Sequence, residues 1–512
     1  MTSISPPPRA VWLAVAMATL AGCDGTQDGP SAGMLEPSSA EAGVVDNLLP
    51  QTQGFRKAVT PAGILEHLTA FQQFADANGG FRALGSPGYQ ASVQYVSNRM
   101  VAAGYTTTLQ TFSFEFTGDR TPPTLAQVSP LSVTYVNGTD FASMEYSGSG
   151  DVTAGVYAVD FVVPVSAAGS STSGCQAADF AGFPAGSIAL VQRGVCTFRE
   201  KALNAQSAGA VGVIIANDGA PGRTGIVFGT LNAPQVTLPV VGVSFAAGEA
   251  LRSSVSNGPT AVTVHLVVDA VVETRTGTNV IADSRLGDPS RVIVVGSVLN
   301  SDLRGPGING STGAAAALEI AETFAAQERN PVNRLRFIWF GGSRLLGPDY
   351  YLESLSTEGV DDIAAMVHLR ALGSPNFGRF VFDGDNSTFS GGAAEGPAGS
   401  GAIEKLFNDY FARQSLGVEP LSLAEGTDHL GFTTRDIPVG GLYAGQEEVK
   451  SAAQQALFGG VSGQSFDPCF SQACDVLSNV SHLSLDQLSD AAAHAVLLLS
   501  RRNLNKSPLA TP

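Results

Sequence analysis

From position 279 onward, short apolar runs alternate with stretches of helical period, and this alternation constrains the fold more than any other feature of the chain. The runs at 291–296, 334–340, 364–369 and 437–443 predict strands. The stretches 312–327, 403–414 and 483–500 carry apolar residues at helical spacing and predict helices. Strands apolar at nearly every position are buried on both faces, so the pattern predicts a largely parallel sheet covered by helices on either side. In such sheets ligands bind beyond the carboxyl ends of the strands. The segments 297–310, 341–347 and 370–376 therefore become the candidate site.

The N-terminal half reads differently. A helix over 63–78 carries Ile64, Leu65, Leu68, Phe71 and Phe74, and Gly79-Gly80 ends it. A second helix over 90–104 leads to a strand over 106–116. Between 118 and 271, short Val- and Thr-rich strands alternate with Gly, Ser, Pro and Asn turns, which predicts a separate β-rich domain. Within it, buried strands at 187–191 and 211–215 flank a helix over 198–208.

Targeting is legible at the start. Arg9 precedes an apolar run over 10–20, too short to span a bilayer, and Leu20-Ala21-Gly22-Cys23 follows. That string resembles the bacterial lipoprotein box, which implies lipidation of Cys23 and membrane contact through the N-terminal lipid. Residues 24–55, rich in Gly, Ser, Asp and Pro, read as a flexible linker. The expected location is outside the cytoplasm, as a bacterial cell envelope lipoprotein or a secreted protein. Of the five cysteines, four remain after Cys23, and they fall into two local pairs. An even remainder in an exported chain predicts the disulfides Cys175–Cys196 and Cys469–Cys474, since neither pair has zinc-finger spacing. With 28 basic against 45 acidic residues and a formal charge of -17, the surface repels phosphate backbones and excludes nucleic acid as a partner.

The carboxyl-terminal half also carries a specific set of strings. They include Asn279-Val280-Ile281-Ala282, Gly305-Pro306-Gly307-Ile308-Asn309, Trp339-Phe340-Gly341, Leu345-Leu346-Gly347 and Gly373-Ser374-Pro375-Asn376. Thr427-Asp428-His429, Ile437-Pro438-Val439-Gly440-Gly441-Leu442 and Asp467-Pro468-Cys469 follow in order. Together they resemble the co-catalytic zinc aminopeptidases of the secreted leucine-aminopeptidase type. Gly174-Cys175 and the run from Val191 to Phe198 resemble a protease-associated domain. The resemblance covers about 60 to 500. It implies a three-layer α/β/α aminopeptidase-like domain interrupted by a β-rich protease-associated insertion. The resulting boundaries are 1–23 signal peptide, 24–55 linker, 56–117 with 277–503 aminopeptidase-like domain, 118–276 insertion and 504–512 tail.

The same resemblance implies two zinc ions held by two histidines, a glutamate and two aspartates, with a neighbouring glutamate as general base. Position by position, those groups are missing. The first histidine position is Val298, which has no lone pair, and the aspartate that would orient it is Asn300. The bridging aspartate falls on Gly310, or on Asn309 if the gap is placed one residue earlier. The base and its neighbouring ligand fall on Ser343 and Arg344, or on Gly341 and Gly342 if the alignment is anchored on Leu345-Leu346-Gly347. The next aspartate is Arg370. The final tyrosine and histidine are Phe470 and Ser471, so the hydroxyl that would steady an oxyanion is also gone. A zinc cofactor is thus implied by the family and contradicted by its own positions. Carboxylates clustered without their metal are costly, and neutral or arginine replacements relieve that cost.

Other readings of the same residues compete. Asp428 beside His429 invites a hydrolytic pair with Ser343, but no Gly-x-Ser-x-Gly elbow surrounds Ser343. His368, in a buried strand, reads first as packing. Gly305-x-Gly307 before Gly310 is a turn rather than a dinucleotide loop, lacking the acidic residue further on. Arg344 and Arg370 either pair with Asp302, Asp349, Asp428 or Glu425, or receive a ligand carboxylate. The expectation is a non-catalytic homologue binding peptide or protein termini at a pocket of Asn300, Asn309, Asp428 and His429. The alternatives are an active aminopeptidase using other ligands, and a structural scaffold lipoprotein.

Overall fold

The computed structural model describes residues 48–503 apart from 221, 328–329, 343–345, 390–394 and 425–427. Cys23, Ser343, Arg344 and Glu425 lie outside the described residues, as do the signal segment, most of the linker and the tail.

An eight-stranded mixed sheet forms the centre of the larger body. Its order is Thr106–Asp119, Ala270–Asp283, Asn333–Phe340, Asp288–Val298, Ile363–Leu369, Val439–Tyr443, Phe380–Asp383 and Glu419–Ser422. The four middle strands run parallel, from Asn333–Phe340 to Val439–Tyr443. Antiparallel pairing appears where this parallel set meets its flanks and between the two strands of one flank, Thr106–Asp119 and Ala270–Asp283. All four predicted strands thus form the parallel centre, whose residues are buried from both sides as the apolar runs require.

The helix Thr312–Gln327 crosses this sheet closely because its inner face is Ala314 to Ala317, all buried. A Cβ on Gly313 would lie 2.2 Å from the carbonyl oxygen of Leu369, so only glycine allows the approach. Trp339 Nε1 donates to the Ala314 carbonyl at 2.9 Å and fixes the helix start over the strand ends. The long helix His482–Arg501 is capped by Ser481, whose hydroxyl accepts from the Ser484 amide. It buries Leu485, Leu488 and a run from Ala491 to Ser500.

Residues 48–55, read above as the end of a flexible linker, belong to the fold instead. They enter a helix, Leu49–Ala58, seated on His482–Arg501. Phe55 meets Phe324 edge-on, Thr52 Oγ1 lies 2.7 Å from His494 Nδ1, and Arg56 pairs with Asp490 at 3.0 Å. The stretch is polar overall, and its few anchoring contacts are invisible until the partner helix is in place.

The β-rich segment forms a second eight-stranded sheet, from Val133–Tyr135 at one edge to Phe141–Ser143 at the other. Helices Phe198–Ser207 and Phe245–Arg252 cover it. A long antiparallel ribbon joins the bodies: Thr106–Asp119 pairs with Ala270–Asp283 along its whole length. Disulfides join Cys175 to Cys196 in the β-rich body and Cys469 to Cys474 beside the large sheet. No described helix is long and apolar enough to cross a membrane.

Candidate functional site

At the carboxyl ends of the parallel strands lies a cavity of about 400 Å³. Each described position where the sequence implies a lost ligand or its neighbour opens onto it: Val298, Gly310, Arg370, Phe470 and Ser471. Val298 and Arg370 are there because strands ending side by side bring 298 and 370 to one rim. Ser471 arrives on the small loop closed by Cys469–Cys474, where it holds φ of 54°, a left-handed conformation uncommon outside glycine. Gly310 leaves a gap: a Cβ there would meet nothing nearer than the Gly307 carbonyl oxygen at 3.6 Å.

The loop bearing Gly305 and Gly307 is fixed from beneath by Arg82, a residue the sequence reading passed over. Fully buried, it donates to the carbonyls of Leu299 at 2.8 Å and Pro306 at 3.2 Å. Burial pushes its guanidinium down to about 10, so it stays charged at neutral pH. No periodicity marks such a residue, because most of its partners, backbone carbonyls and the Ser311 hydroxyl, lie more than two hundred positions away.

The pocket candidates separate. Asn300 lies on the wall, its Oδ1 accepting from the Gly342 amide at 2.7 Å. Asp428 also lines the cavity, but its partner is His368, Nε2 to Oδ2 3.1 Å, rather than a dyad with His429. Asn309 and His429 do not line the cavity. The Asn309 amide points into a buried network, Nδ2 donating to Asp467 at 2.7 Å and Ser374 at 3.0 Å, while its backbone N–H donates to Asp475. His429 packs against Phe382, 4.7 Å between ring centres, with Nε2 3.0 Å from the Leu423 carbonyl. Burial, with lesser contributions from His368 and Arg370, pushes its imidazole down to about 4.

Arg370 does not pair with Asp302, Asp349 or Asp428. Its guanidinium carbon sits 4.3 Å from the centre of the Tyr443 ring. Asp302 is taken by Arg304 at 2.6 Å, and although burial alone would raise its carboxyl, Arg304 and the Ser471 hydroxyl hold it below the usual range. Burial and the charge of Asp467 push Asp475 up to about 6, against the Asn309 N–H that favours its ionised form.

Do these residues suit the zinc pair that the family resemblance implies? Valine, glycine, arginine and phenylalanine offer no metal donor, and the acids that reach the wall are engaged elsewhere. Among the described residues, three-member groups with donor atoms close enough to share an ion occur at His67, Glu319 and Glu322, and at Asp383, Asp385 and Glu404. None of these lines the cavity. The residues do not fit the metal pair.

Comparison with known proteins places this cavity in a family. The model for peptidase family M28 matches 279–496, and the PA domain model matches 158–251. An aminopeptidase of Pseudomonas aeruginosa is 38% identical over 452 residues, covering 87% of this chain and 82% of the relative. The chain belongs to peptidase family M28. Another relative, a probable lipoprotein aminopeptidase of Mycobacterium tuberculosis, is 34% identical, with 87% of this chain and 86% of the relative covered. Among solved structures, an Aneurinibacillus aminopeptidase aligns with a TM-score of 0.63 at 25% identity, covering 90% of this chain and 99% of the other. A zinc aminopeptidase of Bacillus subtilis gives a TM-score of 0.60 at 20% identity over 86% and 95% of the respective chains, a likeness of fold. The M28 fold with an inserted PA domain is therefore the architecture of this protein.

Proposed function

We propose that this M28 member is a non-catalytic peptide-binding protein, exported and held in the cell envelope by lipid on Cys23. One observation carries the reading: the cavity at the strand ends is walled by Val298, Gly310, Arg370, Phe470 and Ser471. Hydrolysis of a peptide bond by this family's chemistry requires cations that polarise the carbonyl and acidify water, plus a carboxylate to take the proton. Among the described residues the wall carries no donor set for such cations, and its aspartates are already engaged by Arg304, His368 and the Asn309 N–H, yet it retains a concave space of ligand size. Fold alone does not carry activity. The lipid anchor is supported by Leu20-Ala21-Gly22-Cys23 and by the lipoprotein named among the relatives.

The test is an aminoacyl-anilide assay on purified protein, with zinc supplied, alongside peptide titration. Peptide binding without anilide release supports the proposal. Zinc-dependent release that chelation abolishes contradicts it. The second reading, an active aminopeptidase with other ligands, draws on the activity named for the relatives.

A further inference from the structure

We propose that the cavity captures a carboxylate, with Arg370 as its anchor, so that the cleft holds the carboxyl end of a peptide rather than its amino end. This deepens the reading of the cleft as a binding site without metal, and rests on it.

Three features converge. Arg370 reaches the cavity wall from the end of the strand Ile363–Leu369, its backbone N–H bonded to the Leu442 carbonyl at 3.1 Å. Its guanidinium is steadied over the Tyr443 ring, and among the described residues it forms no ion pair within 4.0 Å. A guanidinium held by an aromatic face keeps its N–H edge for a planar acceptor, which a carboxylate matches with two parallel bonds.

The acids on the same wall do not compete for it. Asp302 is satisfied by Arg304 and Asp428 by His368. Asp475 accepts from the Asn309 backbone N–H at 2.8 Å.

The lining at Gly310 is open. Gly310 leaves space where a side chain would stand, and Gln446 Nε2 lies 4.0 Å from the position its Cβ would take. Two residues later begins the sixteen-residue helix Thr312–Gln327, whose positive end favours an anion. Where an aminopeptidase of this fold carries a negative donor set for cations, this wall carries a guanidinium without an ion pair beside aspartates that already have partners. The sign of its preferred ligand is reversed.

The test uses an N-acetylated tetrapeptide with a free carboxyl end, the same peptide as its C-terminal amide, an amide peptide bearing an internal glutamate, and an amide with a free amino end. Calorimetry on the full-length protein reads the affinities. The free-carboxyl peptide binds, and amidation weakens it by about tenfold or more, as loss of a charged bidentate contact requires. Arg370→Gln gives the same loss, and Arg370→Lys falls between. Gly310→Asp, which adds a negative charge to the cavity lining, also weakens it, with thermal unfolding confirming that each variant is folded. Retention by the glutamate-bearing amide assigns the site to carboxylate side chains and overturns the carboxyl-end assignment. Equal binding of amide and acid, or binding that needs the free amine, overturns this inference while leaving the cleft reading intact. Failure of every peptide to bind folded protein, or zinc-dependent hydrolysis, overturns both.

Discussion

His368 Nε2 lies 3.1 Å from the Asp428 carboxylate, and both residues are buried at the cavity wall. The pair joins an imidazole of the strand Ile363–Leu369 to a carboxylate of the turn before the helix Leu430–Thr433, so that carboxylate faces a histidine rather than open space. Removing the acid strands a buried imidazole. Asp428→Ala is expected to cost about 1–3 kcal/mol, the desolvation penalty of an unsatisfied buried group. Chemical denaturation checks it. Asp428→Asn, which keeps an acceptor, should lose less.

Acid should destabilise the protein through two buried histidines. Burial pushes His429 and His494 down from an ordinary value of 6.5 to about 4. The folded state holds both neutral, so their contribution is complete above about 6.5 and is lost as pH falls through 4. Asp475 has the reverse sign: raised to about 6, it favours the fold below the ordinary 3.8 and that share is lost as pH rises through 6. Denaturation midpoints at pH 7 and pH 4.5 should fall toward acid. His494→Gln should flatten the fall.

Arg82 should be costly to replace. Its donors serve the carbonyls of Leu299 and Pro306. Arg82→Met leaves those buried acceptors unpaired and should cost about 3 kcal/mol or more. Hydrogen exchange should show faster opening of the loop at 305–310, with the β-rich body unchanged.

The Cys175–Cys196 disulfide closes a segment with a sequence separation of 21. By chain entropy its removal should cost about 3 kcal/mol. Cys175→Ala with Cys196→Ala should lower the unfolding temperature of the β-rich body, read by calorimetry, while the cavity keeps its ligand affinity.

Much of the fold was legible because burial on both faces leaves a mark in sequence. The runs from 291 to 443 predicted the parallel strands, and motif order identified which strand ends meet. The helix over Thr312–Gln327 was equally plain, its alanine face being a direct consequence of close packing on the sheet. The short strands Phe380–Asp383 and Glu419–Ser422 were not, since four residues carry too little period. The helix Leu49–Ala58 was read as linker as far as 55, because the stretch is polar overall and its hold is tertiary.

The candidate site was legible by position and less so by pairing. Val298, Gly310, Arg370, Phe470 and Ser471 meet at one cavity. Which groups satisfy one another there depends on side-chain direction, which no spacing encodes. Asp428 turned to His368 rather than its neighbour His429, and Asn309 to Asp467 and Ser374. Arg370 found an aromatic ring instead of an acid.

The central claim concerns donor chemistry at the strand ends, and metal content tests it most directly. Full-length protein is dialysed against excess zinc, freed of unbound ion, and measured by inductively coupled plasma mass spectrometry, with Arg370→Ala as a companion. The account predicts far less than one zinc per chain at the cavity, and no change in the variant. One or two zinc ions per chain, bound in a manner that Arg370→Ala alters and accompanied by release of N-terminal residues, would contradict it.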